Sequence, residues 1–97
     1  MTTSTLEIDD ATLLIESVSF DAYYFHFHLK DGRILTAPLW WYPRLLSATS
    51  KQRLSWDILP FGDGVEWEEI DEHISARGIL LGRPAPGAIA PVLDAAE

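Results

Sequence analysis

His26 and His28 stand two residues apart in the run Tyr23-Tyr24-Phe25-His26-Phe27-His28-Leu29-Lys30. On an extended chain that spacing puts both imidazoles on one side, an arrangement some strand-borne metal sites use. Such a site needs further ligands, and only His73 or an acid could supply one; none stands at a diagnostic distance. The expectation is that both histidines are polar residues on the wet side of an amphipathic strand, with no metal or other cofactor bound.

The stretch from Asp63 to Glu72 is dense in carboxylates. It fails as a calcium loop, because Val65 and Trp67 occupy alternate positions where such a loop needs oxygen ligands. Paired carboxylates can work as general acid and base only when one is buried and shifted, and so dense an acidic stretch is expected to be solvated. Gly62-Asp63-Gly64 lacks the lysine and helix start of a phosphate loop, the serines at 47, 50, 55 and 75 sit in no elbow-like context, and there is no cysteine. The chain is therefore not expected to be an enzyme.

Trp40-Trp41-Tyr42 raises a different chemistry, that of recognition. No regular element can turn three consecutive large rings inward, so at least one is expected to be partly exposed. Aromatic and arginine side chains are common binding hot spots, which makes Trp41, Tyr42 and Arg44 a candidate contact patch. The competing expectation is that the rings seal the edge of a small core at a strand-to-helix corner. With the acidic stretch, the candidate partner-binding set is Trp41, Tyr42, Arg44, Glu66, Trp67, Glu69, Asp71 and Glu72.

The rest of the chain must position these residues. Its 97 residues suit one domain, and 47% hydrophobic with 23% charged residues is ordinary for a protein with one core. Net charge is -8, a poor balance for autonomous binding to phosphate backbones. Lys30, Arg33, Arg44, Lys51 and Arg53 share a middle stretch with a single acid, Asp31. Asp57, Asp63, Glu66, Glu68, Glu69, Asp71 and Glu72 then follow with no base among them. That asymmetry reads either as two solvated faces or as an acidic patch that steers a basic partner. The start MTTSTLEIDD has no signal-like pattern and no apolar run is long enough to cross a bilayer, so cytoplasmic residence is expected.

Residues 1–12 read as a flexible polar start, 13–82 as a single α+β domain and 83–97 as an Ala/Pro-rich tail. Leu13 to Phe20 reads as a strand; Tyr23, Phe25, Phe27 and Leu29 share its neighbour's buried face, opposite Tyr24, His26, His28 and Lys30. Asp31-Gly32 supplies a hairpin turn into Arg33–Ala37, which completes a three-stranded antiparallel meander. Pro38 ends the sheet and Pro43 suits a first helical position. Thr49 and Gln52 have capping-box spacing, so 43–54 is one helix or two short ones breaking near Thr49, laid across the Tyr23, Phe25 and Phe27 side. Asp57–Phe61 and Val65–Glu68 read as a second short β-hairpin around Gly62-Asp63-Gly64. Ser75 caps a last helical turn that Gly82 stops.

The ordered set Asp31-Gly32-Arg33, Pro38-Leu39, Tyr42-Pro43-Arg44-Leu45, Ala48-Thr49, Gln52-Arg53, Trp56, Gly62, Gly64, Trp67, Ile70-Asp71-Glu72, Ile74-Ser75, Gly78 and Leu80-Leu81-Gly82 resembles the bacterial domain of unknown function 2442 family over residues 13–82. The resemblance implies a small α+β domain without established catalytic residues. It also implies kinship with components of toxin–antitoxin-type pairs that sit beside a small partner protein, some with a helix-turn-helix extension. Relatives commonly have histidine where this chain has Glu66, which weakens any metal or proton-transfer scheme at that position. The residues after Gly82 are too few for a helix-turn-helix.

The function expected is thus a small non-enzymatic protein-interaction module, antitoxin-like, that binds a basic protein partner. One alternative is a dimeric DNA-binding regulator, which needs Arg33, Arg44, Lys51 and Arg53 on one face. Another is a small metal-binding or hydrolytic protein around His26, His28 and the acids. Short edge strands and exposed aromatics also make a homodimer reasonable.

Overall fold

A computed structural model describes residues 8–91 of the chain. The expected meander is present: β1 (Ile15–Phe20), β2 (Tyr24–Leu29) and β3 (Ile34–Pro38) form an antiparallel sheet in that order. Phe25, Phe27 and Leu29 are buried while His26 and His28 are half-exposed, as a period of two requires. Tyr23 departs from the expected pattern. It is 75% exposed, because it belongs to the turn before β2, where the Asp21 carboxylate accepts the backbone N–H groups of Tyr23 (2.9 Å) and Tyr24 (2.8 Å). At the second turn Gly32 takes φ +98°, and its N–H donates to the Leu29 carbonyl at 3.0 Å. A bulge between Ile15 and Ser17 adds a residue to β1, so Ile15 and Val18 are both buried although three apart.

After Pro38 the chain makes a 3₁₀ turn over Leu39–Trp41, then two single-turn helices, α1 (Pro43–Leu46) and α2 (Ser50–Arg53). Pro43 starts α1, where its missing N–H costs nothing. The break falls at Thr49, whose hydroxyl accepts the Gln52 N–H at 3.1 Å while Gln52 Oε1 accepts the Thr49 N–H at 2.9 Å. Arg53 then caps the end of α1, donating to the carbonyls of Leu45 (3.1 Å) and Leu46 (2.9 Å).

The second sheet has three strands where a hairpin was expected: β4 (Asp57–Ile58), β5 (Gly64–Trp67) and β6 (Glu72–Ser75), antiparallel in that order. Asp71, in the left-handed region at φ 55°, closes the 3₁₀ turn Glu68–Ile70 and sends the chain back as β6. Ser75 accepts the Gly78 N–H at 2.9 Å and begins α3 (Ala76–Leu80), with Gly82 at φ +71° beyond its end. The expected flexible start and tail fall partly outside the described residues. Within them, Asp10–Thr12 form a 3₁₀ turn and the Ala85 N–H donates to the Trp41 carbonyl at 2.9 Å.

One core lies between the sheets. The Phe27 and Trp67 rings stack with centroids 6.4 Å apart, and Phe25 meets Tyr42 edge-on at 5.6 Å. Val65, Ile74, Leu39, Leu45, Ala76 and Ile79 complete the packing. Burying each of the larger side chains is worth about 1.5–3 kcal/mol against leaving it in water. The cover over Phe25 and Phe27 therefore differs from the expected one. The helical segment contributes Tyr42 and Leu45, α2 buries nothing, and β5 supplies the largest fully buried side chain, Trp67.

Candidate functional site

Cross-strand pairing satisfies the histidines on the outer face of the meander. His26 Nε2 lies 2.9 Å from Asp21 Oδ2 and its Nδ1 2.8 Å from Thr36 Oγ1, while His28 Nε2 lies 2.7 Å from Ser19 Oγ. Their ring centroids are 6.3 Å apart and His73 is on the other sheet, in β6. Among the described residues, no cluster of three His, Asp or Glu side chains could hold a metal ion. Ser19 and His28 have the spacing of a nucleophile and its base, but the carboxylate that would orient the base contacts His26 instead. Asp21 is held below the usual carboxylate range, first by the Tyr23 N–H, then by His26 and the Tyr24 N–H. Sequence inspection missed Ser19, Asp21 and Thr36, because only the register of three strands makes them neighbours.

The outer face of the second sheet carries different chemistry. Asp57 pairs with Glu66 and Glu66 with His73, so two carboxylates stand directly opposite each other in a three-strand row. Glu66, Glu68, Glu69 and Asp71 are exposed. Within this stretch Asp71 alone forms an ion pair among the described residues, with Arg44 Nη1 3.5 Å from its Oδ2. Gln52 Nε2 donates to Glu69 Oε2 at 3.2 Å. The Tyr42 hydroxyl is pushed up to about 12, by burial and then by the negative charge of Glu72. The acidic stretch thus reaches the aromatic corner at two points, Arg44 with Asp71 and Tyr42 beside Glu72.

Two residues of the expected contact set are corrected. Trp67 has no exposed surface, its Nε1–H donating to the Arg53 carbonyl at 2.9 Å, and Tyr42 is 5% exposed against Phe25. Both are core residues, and neither can meet a partner. Trp41 is half-buried with its carbonyl engaged by Ala85, while Arg44, Glu66, Glu69 and Asp71 stay exposed and Glu72 half-buried.

The ring of this trio that lines a groove is half-buried Trp40, one residue earlier than expected. Trp40 lines an apolar groove of about 690 Å³ with Tyr23, Tyr24, Pro38, Leu46 and, as its far wall, Ile89–Pro91. A second groove of about 380 Å³ shares Ala22 with it and is bordered by Asp21, Arg53 and Leu54. Among the described residues eight large apolar side chains are exposed, and five of them (Tyr23, Tyr24, Leu46, Leu54 and Ile89) line these joined grooves. Exposed apolar surface gathered in one place is the usual mark of a contact site.

A family described as "Protein of unknown function (DUF2442)" matches residues 15–85. The chain belongs to this family. The DUF2442 match runs from the start of β1 past the end of α3, so it holds both sheets and Trp40 but stops short of the Ile89–Pro91 wall. Two solved structures are similar. One is a crystal structure of a protein of unknown function from Rhodospirillum rubrum, 23% identical, with TM-score 0.66 over 77% of this chain and 93% of that one. The other is a solution structure of an uncharacterized protein from Chromobacterium violaceum, 28% identical, with TM-score 0.66 over 76% of this chain and 70% of that one. No curated protein matches the DUF2442 chain.

Proposed function

We propose that this DUF2442 domain is a non-enzymatic module that docks a basic protein partner, in the manner of the antitoxin half of a two-protein bacterial system acting in the cytoplasm. The observation that carries the reading is the concentration of exposed apolar side chains on the joined grooves beside Tyr23, Tyr24 and Leu46. Apolar anchors in such a groove supply affinity, while the carboxylates of the second sheet speed encounter with a basic surface. No helix among the described residues is long and apolar enough to cross a membrane.

Occupancy of three of the four cations, all but exposed Lys51, favours this reading over the DNA-binding one. Arg33 bonds Asp31, Arg44 contacts Asp71, and the Arg53 guanidinium donates to the carbonyls at the end of α1. A phosphate backbone would have to compete with each of these contacts. The test is capture of partners by the tagged full chain from its own host, followed by a salt series. A basic protein is expected, released as salt rises, lost with Leu46→Asp and weakened by Glu66→Lys. Capture indifferent to salt and to both substitutions overturns the proposal.

A further inference from the structure

The outer edge of β3 carries backbone groups that no described residue hydrogen-bonds. The Leu29 N–H donates to Arg33 O at 2.8 Å and the Leu39 N–H to Tyr23 O at 2.9 Å, which fixes the phase of the β2–β3 ladder on the odd-numbered residues of β3. Antiparallel pairing alternates, so the N–H and C=O of Ile34 and Thr36 point away from β2. Neither backbone has another partner among the described residues, and both side chains are exposed, Ile34 at 54%. Ile34–Pro38 reads Ile-Leu-Thr-Ala-Pro and holds no charge. Edge strands are usually guarded by lysines, bulges or prolines; here only Pro38, at the far end, serves.

We propose that this edge pairs with the same edge of a second copy of the chain, antiparallel about a two-fold axis at Leu35. In that register Ile34 stands opposite Thr36 of the partner subunit and the reverse, and each of the two pairs exchanges two N–H···O=C bonds. Leu35, which is half-buried at the rim of the core, meets Leu35 of the partner subunit on the inner face. Exposed Ile34 packs against the methyl group of Thr36 of the partner subunit on the outer face. The ladder stops at its ends for structural reasons: Pro38 has no N–H, and the Gly32 N–H is already given to Leu29. Charge selects the same edge. A chain of net charge -8 repels its copy, and β3 is a strand without acids, whereas β4, β5 and β6 each carry one.

This association is independent of the basic-partner reading, and salt tells the two apart: screening strengthens the self-pairing of an acidic chain and weakens its contact with a basic one. The test is sedimentation equilibrium of the full chain over a range of concentration and salt, with hydrogen exchange read at the Ile34 and Thr36 amides. The expected result is a reversible monomer–dimer equilibrium, tighter at high salt, with both amides protected only in the dimer. Thr36→Pro removes an outward N–H while leaving the backbone bonds to β2 in place, though it also removes the Oγ1 contact to His26. It weakens the dimer by about tenfold or more, against a Thr36→Val control that lacks only the hydroxyl and keeps the dimer. Ile34→Glu, which adds like charge at the seam, does the same, circular dichroism serving to check that both variants stay folded. A monomer at every concentration overturns the proposal. So does a dimer that both variants leave intact.

Discussion

The two sheets of this domain share a core but differ on their outer faces. On the meander, Asp21, His26 and Thr36 form one hydrogen-bonded chain and Ser19 with His28 another, so polar groups satisfy each other. On the second sheet, Asp57 faces Glu66 directly and neither has a cation within ion-pair distance among the described residues. Directly opposed like charges cost a sheet pair about 0.2–1 kcal/mol. The first face is therefore arranged in favour of the fold. The second carries a small standing cost that no ion pair among the described residues offsets.

Both sheets are expected to unfold as one unit, and Trp67 is the largest side chain that joins them. It is fully buried, stacked on Phe27 of the meander, and bonded to the Arg53 carbonyl. Trp67→Ala should cost about 3–5 kcal/mol. Urea unfolding of this variant and the parent, followed both by far-ultraviolet circular dichroism and by the amide resonances of β2, is expected to show coincident transitions at lower urea. If the β2 resonances kept their parental midpoint, the two sheets would be separate units and the contrast between their faces would lose its meaning.

A smaller effect comes from the place where the acidic stretch touches the core. The Tyr42 hydroxyl ionises at about 12 in the fold against an ordinary 10.0, since burial and then Glu72 oppose the phenolate. A raised folded value means that this contribution is fully present below pH 10 and is lost as pH rises towards 12. On the linkage relation the loss amounts to about 3 kcal/mol at the alkaline limit. Denaturant midpoints measured from pH 9 upward should fall for the parent and fall less for Tyr42→Phe. Equal slopes would show that the corner does not bury the hydroxyl as described.

Local signals were readable from the sequence and tertiary ones were not. The alternation of Phe25 and Phe27 with His26 and His28, the Pro43 start and the Thr49–Gln52 box each depend on residues within a few positions, and each was found in place. The period-two rule that put Phe25 inside also sorts Val65 and Trp67 from Glu66, so the burial of Trp67 was available. The bulge beside Glu16, the third strand β6 and the exposure of Tyr23 depend on how strands register and on what the Asp21 side chain binds. No local pattern encodes those. Likewise Trp40, not Trp41 or Tyr42, lines the groove because a 3₁₀ turn sets the phase of the three rings.

The smallest predicted change separates the two outer faces most sharply. Glu66→Lys replaces the central member of the Asp57–Glu66–His73 row, turning a like-charge opposition into an attractive pair while leaving buried Val65 and Trp67 untouched. Stability should rise by about 0.2–1 kcal/mol at low ionic strength and return to the parental value as salt screens the pair. The same substitution is expected to weaken capture of the proposed basic partner. A substitution that raises stability and lowers binding together cannot act by damaging the fold, so the two measurements taken side by side identify what the carboxylate row does. If Glu66→Lys stabilised the domain and left partner capture unchanged at low salt, the row would be a tolerated imperfection of the second sheet and the groove alone would carry the interaction.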